Sequence, residues 1–174
     1  MLQGKRILIT GAGGGIGQAA AVLAAAEGAK VMIADVNQAG LEETLETMIA
    51  AGGSGQMRVT DVTSESDVEG LVADTIAAFG GLDGAYNNAG IEGDWAKTAE
   101  SSLDNFNRVV SVNQTGVFLC MRAEIQAMLK AFKERHDYVV DRLNKIPGVE
   151  CLPADGTFPT GTAALEKRAL AANL

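Results

Sequence analysis

Cysteine is scarce. Cys120 and Cys151 are the two in a chain of 174 residues, too few for a disulfide framework, and they read as small buried hydrophobes in a reducing compartment. Histidine is scarcer still. His136 stands alone, no His/Cys/Asp cluster has ligand spacing, and no metal is expected. Long basic runs are missing and the net charge is −8. A phosphate polyanion is repelled on average by such a chain, so nucleic acid is not an expected partner. No apolar run is long enough to cross a bilayer, and the opening MLQGKRILIT is too short in apolar residues for a signal peptide. The expectation is a cytoplasmic protein with no membrane partner. There is no internal repeat and no low-complexity linker.

Apolar residues and glycine are what the chain has in quantity. With 47% hydrophobic residues, 21% charged residues and 21 glycines, it is expected to form one globular domain with a sizeable core rather than a disordered segment. Strand-like and helix-like stretches alternate. RILIT (6–10), KVMIAD (30–35), QMRVTDV (56–62) and LDGAYNNAG (82–90) read as strands, the last running into a turn. Residues 16–27, 38–51 and 64–80 read as helices. Gly28 closes the first, Gly52-Gly53 stops the second, and a capping box of Ser64 and Asp67 opens the third. The rhythm predicts an α/β fold, a parallel sheet with helices on both faces.

After Ser101 the rhythm changes. Residues 102–146 carry no strand signal, and apolar residues recur at helical spacing through Ile125, Met128, Leu129, Phe132, Val139, Leu143 and Ile146. A helix from Val112 to Ile146 would run about 50 Å unbroken. It either breaks near His136 or projects and finds a partner. Pro147-Gly148 ends it, VECLP (149–153) is a candidate fifth strand, and residues 160–174 read as a short terminal helix.

TGAGGGIG (10–17) lies between the first strand and the first helix. Glycine permits a sharp turn, and without Cβ atoms a pyrophosphate can approach the backbone N–H groups at the helix start. The context supports a ligand: a strand before, a helix after, and an acid, Asp35, at the end of the next strand. A carboxylate there accepts from the adenosine ribose hydroxyls and repels a 2′-phosphate. Position 14 is Gly and position 36 is Val36, so no cation offsets that repulsion, and NAD is expected over NADP.

The spacing Gly11-x-x-x-Gly15-x-Gly17, with NNAG at 87–90, resembles the short-chain dehydrogenase/reductase family over residues 1–128. The resemblance implies a Rossmann-like three-layer sandwich of about five parallel strands in the order 3-2-1-4-5, with a long helix after the fourth. It places the cofactor on Gly11, Gly13, Gly15, Ile16 and Gly17, with Asp35 and Val36 at the ribose. Asp61 and Val62 flank the adenine, and Asn88, Ala89 and Gly90 form the floor. Asn113 matches the family's helix asparagine, a catalytic-site residue that supports a proton-relay water, and it also reads as a kink residue bonding the backbone.

The family's chemistry further needs a serine on the fifth strand, a tyrosine that handles the proton, and a lysine four residues on. Here no serine follows Ser111, and the last tyrosine, Tyr138, has Arg142 in the lysine's place. Tyrosine near its ordinary pKa of about 10 is a poor base, and arginine does not substitute for lysine in shape or hydration. The Tyr138–Arg142 pair therefore reads as ordinary helix surface, and the chain as an NAD-binding domain without turnover. Active oxidoreduction of a small alcohol or ketone is the alternative. Residues 129–158 resemble the small domain of a fold-type I pyridoxal-phosphate-dependent aminotransferase. They lack its Schiff-base lysine, so no pyridoxal phosphate is implied. Two such segments joined in mid-helix read as a chimeric or engineered chain, structural and weak in nucleotide binding in the extreme case. The division expected is 1–128, 129–158 and 159–174 within one domain. Glu92, Asp94 and Trp95 read as a solvated loop, and the cations at 130, 133, 135, 142 and 145 as a solvated helix face. A homodimer or higher assembly is expected through the long helix.

Overall fold

A computed structural model describes residues 1–152. The chain divides into two units, Met1–Lys130 and Ala131–Leu174. The first unit holds a four-stranded parallel sheet in the order β3-β2-β1-β4. Its strands are β1 (Arg6–Thr10), β2 (Lys30–Asp35), β3 (Ser54–Val59) and β4 (Gly84–Asn87). Three helices alternate with them, α1 (Gly15–Ala26), α2 (Gln38–Ala50) and α3 (Glu65–Phe79). After β4 come α4 (Leu103–Val110), a π-helical segment (Ser111–Gly116) and α5 (Val117–Asn144).

The period-two pattern of β1 and β2 builds the layers. Ile9, Val31 and Ile33 face one side and pack with Ala21, Ala24 and Ala25 of α1 and Leu41 and Met48 of α2. Leu8, Met32 and Ala34 face the other side and pack with Leu71 and Val72 of α3 and Ala123 and Ala127 of α5. Leu8, Val31, Ile33 and Leu41 are fully buried, each contributing about 1.5–3 kcal/mol relative to exposure. The alanines of α1 let that helix lie close to the sheet. Leader-strand alignment is also pinned by charge: Arg6 donates to both Asp83 carboxylate oxygens at 2.7 Å and to the Gly80 carbonyl at 2.8 Å. This holds the start of β1 to the approach of β4.

The expected elements form with small shifts. β3 begins two residues earlier than read and ends at Val59. Gly28, at φ 89°, follows Glu27 as the actual C-cap of α1. Ser64 caps α3 by accepting from Asp67 N–H, but Asp67 accepts from Asp61 N–H at 3.3 Å rather than closing a box on Ser64.

After β4 the details differ from the sequence reading. The sheet has four strands, not five, among the described residues. Residues 149–152 form no strand. Instead Asn144, at the end of α5, exchanges two hydrogen bonds with the Cys151 backbone at 2.6 and 2.9 Å, so the backbone that was to join a sheet caps a helix end. Of the two courses read for the long helix, the break near His136 is the one that does not occur. α5 is continuous to Asn144, and the departure from α geometry comes earlier, at Ser111–Gly116. The terminal helix at 160–174 lies outside the described residues. Among the described residues no helix is long and apolar enough to cross a membrane, and no cluster of His, Cys, Asp and Glu could hold a metal ion.

Candidate functional site

Parallel strands bring all their carboxyl ends to one edge. The order 3-2-1-4 makes the chain reverse its winding between β1 and β4, which opens a crevice at that edge. Four segments meet there: the glycine turn after β1, Asp35 and Val36 after β2, Thr60 to Val62 after β3, and Asn88 to Ile91 after β4. A pocket of about 480 Å3, its mouth included, is lined by Gly11, Asp35, Val36, Asp61, Val62, Ala89 and Gly90 from the sequence reading. Thr60, Ile91 and Val112 complete it.

The turn is held by close approach as much as by backbone freedom. Gly11 has φ 67° and Gly15 φ 55°, angles that a side chain makes costly. Gly13 is needed for another reason. Its N–H donates to Asp35 Oδ2 at 2.9 Å, and a Cβ there would lie 2.8 Å from the Asp35 carboxyl carbon. The second Asp35 oxygen accepts from Asn37 N–H at 2.9 Å, so both oxygens are oriented by backbone donors. Gly17, buried in the first turn of α1, lies so close that a Cβ would stand 2.1 Å from the Gly11 carbonyl oxygen. Ile16 is largely exposed, at 73%, and is not among the residues lining the pocket.

Asn88 does not line the pocket but braces it. Its Nδ2 donates to the carbonyls of Thr10 and Gly11 at 3.2 and 3.1 Å, and Ala89 N–H donates to Thr10 Oγ1 at 3.2 Å. The end of β4 is thus tied to the glycine turn. Asn113 sits in the π-helical segment, where one extra residue per turn changes the direction of the side chains. Its amide clamps the Ile91 backbone: Oδ1 accepts from Ile91 N–H at 2.8 Å and Nδ2 donates to Ile91 C=O at 2.9 Å. Both roles read from the sequence are compatible with this placement, and the backbone-bonding one is directly visible.

Sequence reasoning missed several supports. Thr44 Oγ1, fully buried on α2, donates to the Ala12 carbonyl at 2.8 Å, holding the turn from beneath. Gly40 lets α2 approach, since a Cβ there would meet the Gly13 carbonyl at 2.1 Å. Glu124 on α5 is buried and accepts from Asn87 Nδ2 at 2.9 Å. Burial pushes its carboxyl above the ordinary range, and the Asn87 bond opposes that shift. A threonine or glutamate in an amphipathic helix carries no signal of its own; only the register of the sheet brings it under the site.

Tyr138 is exposed on α5, with the Arg142 guanidinium 5.7 Å from its ring centre on the same helix. In the described chain no strand separates Asn113 from Tyr138. Trp95 is 96% exposed, and Asp94 pairs with Arg108 at 3.0 Å, in keeping with a solvated loop. The Cys120 thiol, pushed up to about 12 chiefly by burial, is an inert core group.

A family model described as short chain dehydrogenase matches residues 5–136. A second, a domain of unknown function, matches residues 141–171. The first match passes beyond residue 129, where a junction was expected, and neither match is to an aminotransferase. The comparisons therefore lend no support to the aminotransferase-like segment or to a chimeric, engineered origin. Among curated relatives, the 2,5-dichloro-2,5-cyclohexadiene-1,4-diol dehydrogenase of Sphingobium indicum is 47% identical over 130 residues, covering 74% of this chain and 50% of that protein. The levodione reductase of Leifsonia aquatica is 38% identical over 145 residues, 82% of this chain and 53% of that protein. The crystal structure of an NAD+-bound xylitol dehydrogenase superposes with a TM-score of 0.73 at 37% identity, covering 75% of this chain and 50% of that one. The chain thus spans about half the length of the relatives it matches. With a family model covering most of its length and a dinucleotide-binding fold of the same topology, the chain belongs to the short chain dehydrogenase family.

Proposed function

We propose that this chain supplies the nucleotide-binding half of an NAD-dependent oxidoreductase acting on a small alcohol or ketone. The observation that carries the reading is Asp35, its carboxylate oriented by Gly13 and Asn37 N–H groups at the rim of the pocket. In this reading the N–H groups at the start of α1, from Gly15 to Gly17 with Ile16 exposed among them, hold the pyrophosphate, while Gly13 N–H is engaged by Asp35. Asp35 accepts from the adenosine ribose hydroxyls and repels a 2′-phosphate, so NAD is preferred. Val36, Asp61 and Val62 flank the adenine. Ala89 and Gly90 form the floor, and Asn88 keeps it in register with the turn. Asn113 holds the floor's far end through Ile91. The bound dinucleotide would supply hydride chemistry at its nicotinamide. Family membership and relatives named dehydrogenase and reductase support the reaction class.

A second reading is binding without turnover. It is favoured by Tyr138, stacked with Arg142 on α5, and by the lack of serine in residues 112–174. The exposed face of α5 further supports a homodimer, and the chain's composition supports a cytoplasmic protein.

Calorimetric titration tests the first reading. NAD is expected to bind at least about tenfold more tightly than NADP, and Asp35→Ser to narrow that gap to under about threefold. Absence of heat with both dinucleotides would overturn it. Absorbance at the reduced-nicotinamide band, with a panel of alcohols, separates the two readings. Turnover abolished by Tyr138→Phe would exclude binding alone.

A further inference from the structure

Beneath the site lies a polar pair that the proposed chemistry does not use. Glu124 is 4% exposed. Asn87, the last residue of β4, donates through Nδ2 to Glu124 Oε2 at 2.9 Å. The two remaining oxygens of the pair, Glu124 Oε1 and Asn87 Oδ1, are both buried and have no hydrogen-bond partner. Two acceptors without a donor are costly in such surroundings, and a buried carboxylate oxygen more so. One atom resolves both. A proton on Oε1 turns that oxygen into a donor, and Asn87 Oδ1 is the acceptor at the other end of the same amide. A carboxyl and a carboxamide can close a cyclic pair through one N–H···O and one O–H···O bond.

Asn87 is well placed for this pair to matter. It is in register with Thr10 across the β1–β4 ladder. The next residue, Asn88, bonds the Thr10 and Gly11 carbonyls, and Ala89 bonds Thr10 Oγ1. We propose that Glu124 is a positioning residue of the dinucleotide site: it carries a proton on Oε1, donates it to Asn87 Oδ1, and fixes the strand end from which Asn88, Ala89 and Gly90 project. Dinucleotide binding, proposed above, is the premise of the coupling to cofactor affinity; the acid–amide pair stands without it.

The surroundings favour the neutral acid. Ala123 and Ala127, beside Glu124 on α5, pack on Leu8, Met32, Ala34, Leu71 and Val72 of β1, β2 and α3. The titratable group facing Glu124 is the Cys120 thiol one turn earlier, which carries no charge near neutral pH. From β4 the facing group is the Asn87 amide. Of the charged groups on the packed elements, Arg122 pairs with Glu65 of α3, Asp74 of α3 with Arg58, and Arg6 of β1 with Asp83. Burial is the largest influence on the carboxyl and raises it. The contribution of the pair is therefore full below the ordinary carboxyl range. It is lost as pH rises through the raised value, when Oε1 and Oδ1 become two opposed acceptors.

The test compares the full chain with Glu124→Gln, whose amide keeps both bonds but cannot ionise. Infrared spectra at neutral pH are expected to show a protonated-carboxyl band in the wild type that is absent from the variant. As pH rises through the raised range of the carboxyl, followed by loss of that band, NAD affinity is expected to fall at least about fivefold more in the wild type than in the variant. The thermal midpoint is expected to follow the same pattern. A carboxyl that ionises in the ordinary range, or identical pH slopes in the two proteins, overturns the proposal; a water- or cation-bridged carboxylate gives this result. Should NAD bind neither protein, the dinucleotide reading fails, while the infrared band and the pH dependence of melting still decide the pair. Should the variant not fold, titration of the wild-type carboxyl bands decides alone.

Discussion

A methyl group on Gly17 would stand 2.1 Å from the Gly11 carbonyl oxygen. That atom is backbone, so relief requires the turn and α1 to move apart. Gly17→Ala is expected to lower stability by about 3 kcal/mol, read from denaturant midpoints. Gly14→Ala, with nothing within 4 Å of its added Cβ, is expected to cost far less; equal costs would show that the close approach is not what matters at 17. A second residue-scale effect is electrostatic. The Arg6 guanidinium holds the Asp83 carboxyl down to about 2. A lowered carboxylate contributes stability above its unfolded ionisation, at about pH 4, and loses it as pH falls toward 2. Asp83→Asn is thus expected to destabilise the protein at neutral pH and to melt with the wild type near pH 2. A gap that persists in acid would place the cause in packing. The turn at Gly11 to Gly17 and the place of Asp35 at the end of its strand were legible because glycine and a strand-ending acid act locally. Thr44 and Glu124 were not, because a helix position has no meaning until the helix is docked.

At the scale of elements, capping chemistry was readable and geometry was less so. Ser64 and Asn37 accept from the third residue beyond them, as N-cap residues do. The π-helical segment at Ser111–Gly116 was not expected, although Asn113 was singled out. Its purpose in the fold is visible: the bulge turns the Asn113 amide to both polar groups of the Ile91 backbone. Asn113→Ala is expected to cost about 1–2 kcal/mol and to raise hydrogen exchange at Ile91, leaving β1 and β2 protected. Unchanged exchange there would mean that the loop is held by other contacts. The missing strand at 149–152 teaches a related lesson. VEC has β-forming character, yet Cys151 bonds Asn144, and a short segment takes whichever partner its neighbours supply.

At the scale of the whole molecule, an apolar face is uncovered among the described residues of the first unit. Within the first unit, Phe118, Met121, Ile125 and Leu129 are each about half exposed along one side of α5. Their spacing makes a continuous stripe, and the proposed homodimer would bury it. Sedimentation is expected to show a dimer at micromolar concentration, converted to monomer by the double change Phe118→Glu and Ile125→Glu; a wild-type monomer throughout would remove that proposal. By itself the sequence determined the alternation of strand and helix, the parallel sheet and the place of the glycine turn, because periodicity, glycine and a terminal acid act over a few neighbouring residues. Only the tertiary structure decided the number of strands formed among the described residues, where the long helix departs from α geometry, and which buried side chains support the turn. Those outcomes depend on contacts between residues far apart in the chain. Thr44 beneath Ala12 and Glu124 beneath Asn87 exist as pairs only once two faces of one sheet are packed.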